Sequence, residues 1–184
     1  MLYIILVFAP LLGAIMGMSF GRIIGDRASQ LVTCGLMGVA ALCSVIGLFS
    51  TIGAEPFKVP LFTWINVATF EADWALRIDA LSGVMMFVVS FISCLIHIYS
   101  IGYMAHDARR RRFFGYLNLF VAAMLVLVLS ENYLGLFLGW EGVGLASYLL
   151  IGFWQHKPTA AAAAKKAFVL NRVGDMGLSL AIMM

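Results

Sequence analysis

The stretch from Phe113 to Ser130, FFGYLNLFVAAMLVLVLS, holds no charged residue and follows directly on four arginines, Arg109 to Arg112. A helix needs roughly 17 to 25 apolar residues to cross a hydrocarbon core, and this run supplies them. The same pattern recurs on both sides. Upstream, Met1 to Gly21 and Ala28 to Ala54 carry no charge, and from Ala80 to Ala105 the only ionisable side chains are Cys94, His97, Tyr99 and Tyr103. Downstream, Asn132 to Gln155 holds one acid, Glu141, and Ala167 to Met184 holds Arg172 and Asp175. Lipid offers the backbone no hydrogen-bond partner, so each run has to be helical. Composition agrees: 63% of the 184 residues are hydrophobic and 11% are charged, against roughly 25% charged in soluble domains. The expected fold class is therefore all-α, a polytopic bundle of about six membrane helices, and packed soluble domains are excluded. The first run is read as a permanent helix rather than a signal peptide, because no basic segment precedes it and the first positive charge is Arg22.

The connections carry the topology. Arg22 and Arg27 lie in the first, Arg109 to Arg112 in the third, and Lys157, Lys165 and Lys166 in the fifth, which is nine of the twelve Lys and Arg residues. The second has Lys58 and Arg77 and the fourth has none. Positively charged loops remain on the cytoplasmic side, so the odd-numbered connections are expected there and the N-terminus outside. Between two membrane helices the tetra-arginine run reads as a topology anchor, not a nucleic-acid patch.

The first helix spaces Gly13, Gly17, Gly21 and Gly25 four apart, a small-residue face that admits a close neighbour. The long second connection, about 54–78, alternates at Trp74-Ala75-Leu76-Arg77-Ile78 and carries Phe57, Phe62, Trp64 and Phe70 as interfacial rings. It predicts a short external β-hairpin on the membrane surface. Asp79 is the expected N-cap of the third helix. The fourth connection, around Glu131-Asn132, is so short that the fourth and fifth helices must be antiparallel neighbours, and Gly135 and Gly139 bring backbones together there. The alanines Ala160 to Ala164 are expected to begin an interfacial helix. The division is 1–53, a two-helix unit; 54–78, the hairpin; 79–112, the third helix and basic loop; and 113–184, the start of a repeat. Cys34, Cys43 and Cys94 sit inside apolar runs as small fillers. The last run stops at Met184 with no cap or flanking charge, so the sequence is expected to be the N-terminal piece of a longer protein.

Glu141 is the residue the bilayer makes conspicuous. It lies near the centre of its run, where an ionised carboxylate costs several kcal/mol. It must be neutral or sit beside a buried cation. A group that switches between those states is a proton site; the structural alternative is a neutral Glu bonded to a neighbouring helix. Arg172 and Asp175 are three apart and share a helix face near the start of the sixth run, as an anchoring ion pair or as charges that tune Glu141. His97, near the cytoplasmic end of the third helix, is a proton relay or a structural ring. No phosphate-binding loop, dinucleotide glycine motif, Cys/His metal set or haem-type histidine pair occurs. No cofactor site or electron transfer is expected in this chain.

Gly139-Trp140-Glu141-Gly142-Val143-Gly144-Leu145-Ala146-Ser147-Tyr148-Leu149-Leu150-Ile151-Gly152-Phe153-Trp154 strongly resembles the fifth-helix signature of the antiporter-like L/chain-five subunits of respiratory complex I, NADH:quinone oxidoreductase. Leu95 to Ser100 with Tyr103-Met104 resembles the third helix of that family, and Ala167 to Asp175 the start of its sixth. The resemblance implies one part of a fold of two inverted five-helix repeats, similar to Mrp-type cation/proton antiporters, in the bacterial inner membrane. It implies that Glu141 pairs with a lysine on a seventh helix, which lies outside this sequence, with Arg172 and Asp175 close by. It implies other membrane-arm subunits as partners, above all a neighbouring antiporter-like subunit, with NADH, FMN, iron–sulfur clusters and quinone in other subunits. Two other readings stand beside it: a subunit of an Mrp antiporter or membrane-bound hydrogenase, and a scaffold fragment that does not pump.

Overall fold

Hydrophobic runs separated by short charged connections leave the chain one economical arrangement, a set of long helices packed side by side. A computed structural model describes residues 1–67 and 70–184, with the side chains of Arg22, Ile24 and Phe70 outside the description. The expectations for Phe70 as an interfacial ring and for the Arg22 guanidinium therefore lie outside the described residues. Among the described residues six long helices are present: α1 (Leu2–Ile15), α2 (Asp26–Thr51), α3 (Ala80–Tyr103), α4 (Arg110–Leu129), α5 (Tyr133–Ile151) and α6 (Pro158–Met183). Between the second and third lies the antiparallel pair β1 (Phe57–Val67) and β2 (Phe70–Ile78).

Among the described residues five helices are long and apolar enough to span a bilayer, α1 through its continuation to Phe20 and α2 to α5. The sixth differs from the expected run. Ala160 to Ala164 are not a separate interfacial helix but the first turns of α6, with Pro158 at its first position. Alanine is the strongest helix former and proline is tolerated at the first position, so the helix begins well before the apolar run. Lys165, Lys166, Arg172 and Asp175 then all fall within it, and it is not among the five apolar spans.

The end of the first helix also departs from a simple rod. A π-turn, Met16–Phe20, and a short α-turn, Gly21–Ile24, follow α1, and Gly25 turns the chain at φ 89°. That φ suits glycine, so Gly25 is a hinge and not part of the packing stripe. Gly13, Gly17 and Gly21 do lie on a packing face. A Cβ on Gly13 would stand 2.9 Å from Asn118 Oδ1, and one on Gly17 would stand 3.1 Å from the Gly115 Cα on α4.

Leu6 and Val7 of α1, Met37 and Ala40 of α2, Met86 of α3, and Val121, Leu125 and Leu129 of α4 form the core, closed at one end by Leu76 and Ile78 of β2. In lipid this packing gains from dispersion and close fit rather than from expelling water. At the centre of the four helices stands Asn118. Its amide Nδ2 donates to His97 Nε2 (3.1 Å), to Phe114 O (3.1 Å) and to Thr33 O (3.4 Å). His97 donates from Nδ1 to Ser93 O at 2.7 Å. Both ring nitrogens are thus engaged, which fixes a neutral tautomer.

The hairpin is a strap. Glu131 N donates to Ala75 O (3.2 Å), Asn132 Nδ2 donates to Asp73 O (2.6 Å), Leu76 bridges to Ser130, and Lys58 pairs with Glu131. The second and fourth connections therefore meet at one end of the bundle. The odd-numbered ones meet at the other: Arg111 bonds Gly21 O (2.8 Å) and Asp26 (2.7 Å), and Arg109 bonds His156 (3.2 Å). Asp79 caps α3 in a reciprocal box, Ser82 N to its Oδ1 at 2.8 Å and Asp79 N to Ser82 Oγ at 2.7 Å. The bond from the Ser82 amide holds the Asp79 carboxyl below its ordinary value of 3.8. The three cysteines are free.

Candidate functional site

Asn132 accepts from Gly135 N at 2.8 Å and starts α5 right after the turn. The glycine face of α5 then lies on α4: a Cβ on Gly139 would stand 2.6 Å from the Leu127 Cα, and one on Gly142 would stand 2.9 Å from Ala123 Cβ. No larger residue would allow this approach. Glu141 follows Gly139 by two residues, about 200° around the helix, and so points away from α4 towards α6.

On α6 it meets Arg172, whose Nη1 donates to Glu141 Oε1 at 2.6 Å and also contacts Oε2. The same Nη1 lies 3.5 Å from Asp175 Oδ2, one turn further along α6. The other Asp175 oxygen, Oδ1, accepts from Trp140 Nε1 at 2.8 Å. The guanidinium lies over the Phe168 ring, 4.8 Å from its centroid. Asp175 is buried, Glu141 half-buried and Arg172 more open. One cation thus stands between two carboxylates, in a string from α5 to α6 and back.

Three of the four expected site residues are brought together. Arg172 and Asp175 are not near the start of their helix: α6 begins at Pro158, so Arg172 lies about 21 Å along it, level with mid-helix Glu141. His97 belongs instead to the neutral Asn118 cluster. Trp140 was not singled out from sequence. An indole N–H donates only, and within a span it needs an acceptor; its place beside Glu141 was the available signal. Among the described residues no group of three or more His, Cys, Asp or Glu is arranged to hold a metal.

Residues 64–114 match the family described as NADH-ubiquinone oxidoreductase (complex I), chain 5 N-terminus, and residues 130–184 match NADH:quinone oxidoreductase/Mrp antiporter, TM. Over 180 residues the chain is 50% identical to NADH-quinone oxidoreductase subunit L of Mycobacterium tuberculosis, covering 96% of this chain and 28% of that one. The chain belongs to the subunit L/chain 5 family of NADH:quinone oxidoreductase. It is 47% identical to subunit L of Rhodobacter capsulatus, over 97% of this chain and 26% of the relative. It is 45% identical to chain 5 of Arabidopsis thaliana, over 99% and 27%. The chain spans about a quarter of the length of these relatives. The fold is also that of a chain in the membrane-bound sulfane sulfur reductase, an archaeal respiratory membrane complex, at a TM-score of 0.81 and 15% identity, covering 95% of this chain and 34% of that one.

Proposed function

We propose that this chain forms part of a proton-translocating membrane subunit of NADH:quinone oxidoreductase, with Glu141 as its proton-exchanging carboxyl. The observation that carries the reading is the sharing of Arg172 between Glu141 and Asp175 at mid-helix. Trp140 can only donate, so it holds Asp175 as an acceptor. Glu141 has no such second donor among the described residues. A proton arriving on Glu141 neutralises it and frees Arg172 to turn fully to Asp175; loss of the proton draws Arg172 back. Proton occupancy is thereby converted into the position of a positive charge. A lysine on a further helix would be the next group to feel that charge.

Redox chemistry belongs to other subunits, with NADH, FMN, iron–sulfur clusters and quinone bound there. The partners are other membrane-arm subunits, including a neighbouring antiporter-like one. The location is the bacterial inner membrane with the N-terminus outside, supported by the meeting of the positively charged connections at one end of the bundle. Of the alternatives, an Mrp-type antiporter or hydrogenase subunit is less favoured, because residues 64–114 match the complex I chain 5 description alone. His97 fits a structural part, since both its nitrogens are engaged. The units 1–53, 54–78, 79–112 and 113–184 remain the proposed division.

The test is Glu141→Gln in the complete subunit within its complex, with proton uptake into vesicles followed during NADH oxidation. Pumping per NADH is expected to fall severalfold while the complex still assembles. Unchanged pumping would favour the scaffold reading and sink this one.

A further inference from the structure

A cavity of about 410 Å³ opens between the π-turn and the start of α4, lined by Met18, Ser19, Ala108, Arg109, Arg111 and Arg112. It plays no part in the Glu141 string. Its charge is unbalanced. Asp26 takes up Arg111 (2.7 Å) and Arg110 (3.6 Å). Asp107 is spent on Arg109 N (2.7 Å) and Trp154 Nε1 (3.0 Å). Four guanidinium groups meet two carboxylates, an excess of two positive charges. The Arg112 guanidinium has no ion-pair or hydrogen-bond partner among the described residues, and Arg109 has only His156 and the Phe153 face for its side chain.

Depth and surroundings say what would balance it. Arg109 to Arg112 stand immediately before the uncharged run 113–130, at the boundary between water and hydrocarbon, where phospholipid phosphates lie. The π-turn is a local widening of a kind often found at functional sites, and it places Ser19 on the cavity wall. From the cavity an apolar strip runs along α1 towards the membrane centre: Met18, Ile15 and Leu12 are exposed and spaced three apart. A free phosphate would leave that strip unused, whereas an acyl chain would cover it. Basic pockets between membrane helices are suited to anionic headgroups, and guanidinium forks to phosphate oxygens.

We propose that this cavity binds the headgroup phosphate of an anionic phospholipid, held by Arg109, Arg112 and Ser19, with its acyl chain on Leu12, Ile15 and Met18. The test is native mass spectrometry of the protein purified in the assembly its membrane yields, exchanged against vesicles of phosphatidylglycerol or of phosphatidylcholine. Phosphatidylglycerol is expected to be retained in preference. In an Arg109→Gln, Arg112→Gln double variant that retention is expected to weaken about tenfold or more. Equal retention of both lipids by the unmodified protein would overturn the proposal without any variant, which guards against a variant that inserts poorly. So would unaltered preference in the double variant. Complete displacement of phosphatidylglycerol by millimolar inorganic phosphate would reassign the cavity to a free anion and overturn the lipid assignment.

Discussion

Asn118 and Glu141 both stand in the middle of apolar helices, one on α4 and the other on α5, and both put polar atoms where lipid offers nothing. Around Asn118 the answer is a neutral cluster enclosed on every side: Asn118 and His97 are fully buried, and four helices contribute to the enclosure. Around Glu141 the answer is charge. One arginine serves two acids, and the only buried residues of α5 are Gly135, Gly139 and Ala146. The neutral cluster has one arrangement, which engages the Asn118 Nδ2 and both His97 nitrogens and leaves Asn118 Oδ1 without a partner among the described residues. The charged string has at least two, depending on where the proton is. The first arrangement makes a scaffold; the second makes a switch.

Three measurements press on this contrast. The largest effect is expected at Arg172→Met, which leaves Glu141 and Asp175 without their shared cation. Pumping in the complete complex should fall at least as far as in Glu141→Gln, while the N-terminal four helices keep their protease resistance. Pumping retained at the unmodified level would mean the string is only an anchor. Asn118→Leu should do the opposite. Losing the amide leaves His97 Nε2 without its donor, at a cost of about 1–3 kcal/mol, read as a lower unfolding temperature in detergent with pumping per assembled complex unchanged. A pumping defect in a normally stable Asn118→Leu protein would erase the distinction between the two regions.

The smallest effect concerns Asp107, in the connection that joins the two regions through Trp154. Bonds from the Arg109 amide first, and from Trp154, hold its carboxyl below the ordinary 3.8. A carboxyl depressed on folding contributes stability that is complete above its unfolded value and is lost as pH falls through its folded one. Between about pH 5 and pH 3, Asp107→Asn should therefore lose less thermal stability than the unmodified protein. Parallel pH profiles would show that this tie contributes nothing.

Much of this was legible in the sequence because hydropathy reports on solvent. The helix count, the hairpin, the Asp79 cap and the tight turn at Glu131-Asn132 all follow from where charge stops and which residues cap or turn. What hydropathy cannot mark is where a helix begins. The alanines before Lys165 carried α6 back to Pro158 and moved Arg172 from an expected helix end to mid-helix. Nor does a single chain record which faces meet. Arg172 reaching Glu141, 31 positions earlier, depends on how α5 and α6 are rotated against each other. The Asn118 hub depends on the absence of a Cβ at Gly13, a pairing across α1 and α4 that periodicity does not contain. The π-turn left no local signal that composition could register.

The hairpin strap has a consequence for how the protein is made. Its strands precede α4 and α5 in the chain, so during synthesis they are already on their side of the bilayer when Ser130, Glu131 and Asn132 emerge there. Ala75 O, Asp73 O and Lys58 are then a waiting dock for the short turn between α4 and α5. The turn that closes the α4–α5 pair is thus fastened to chain that was translated before it.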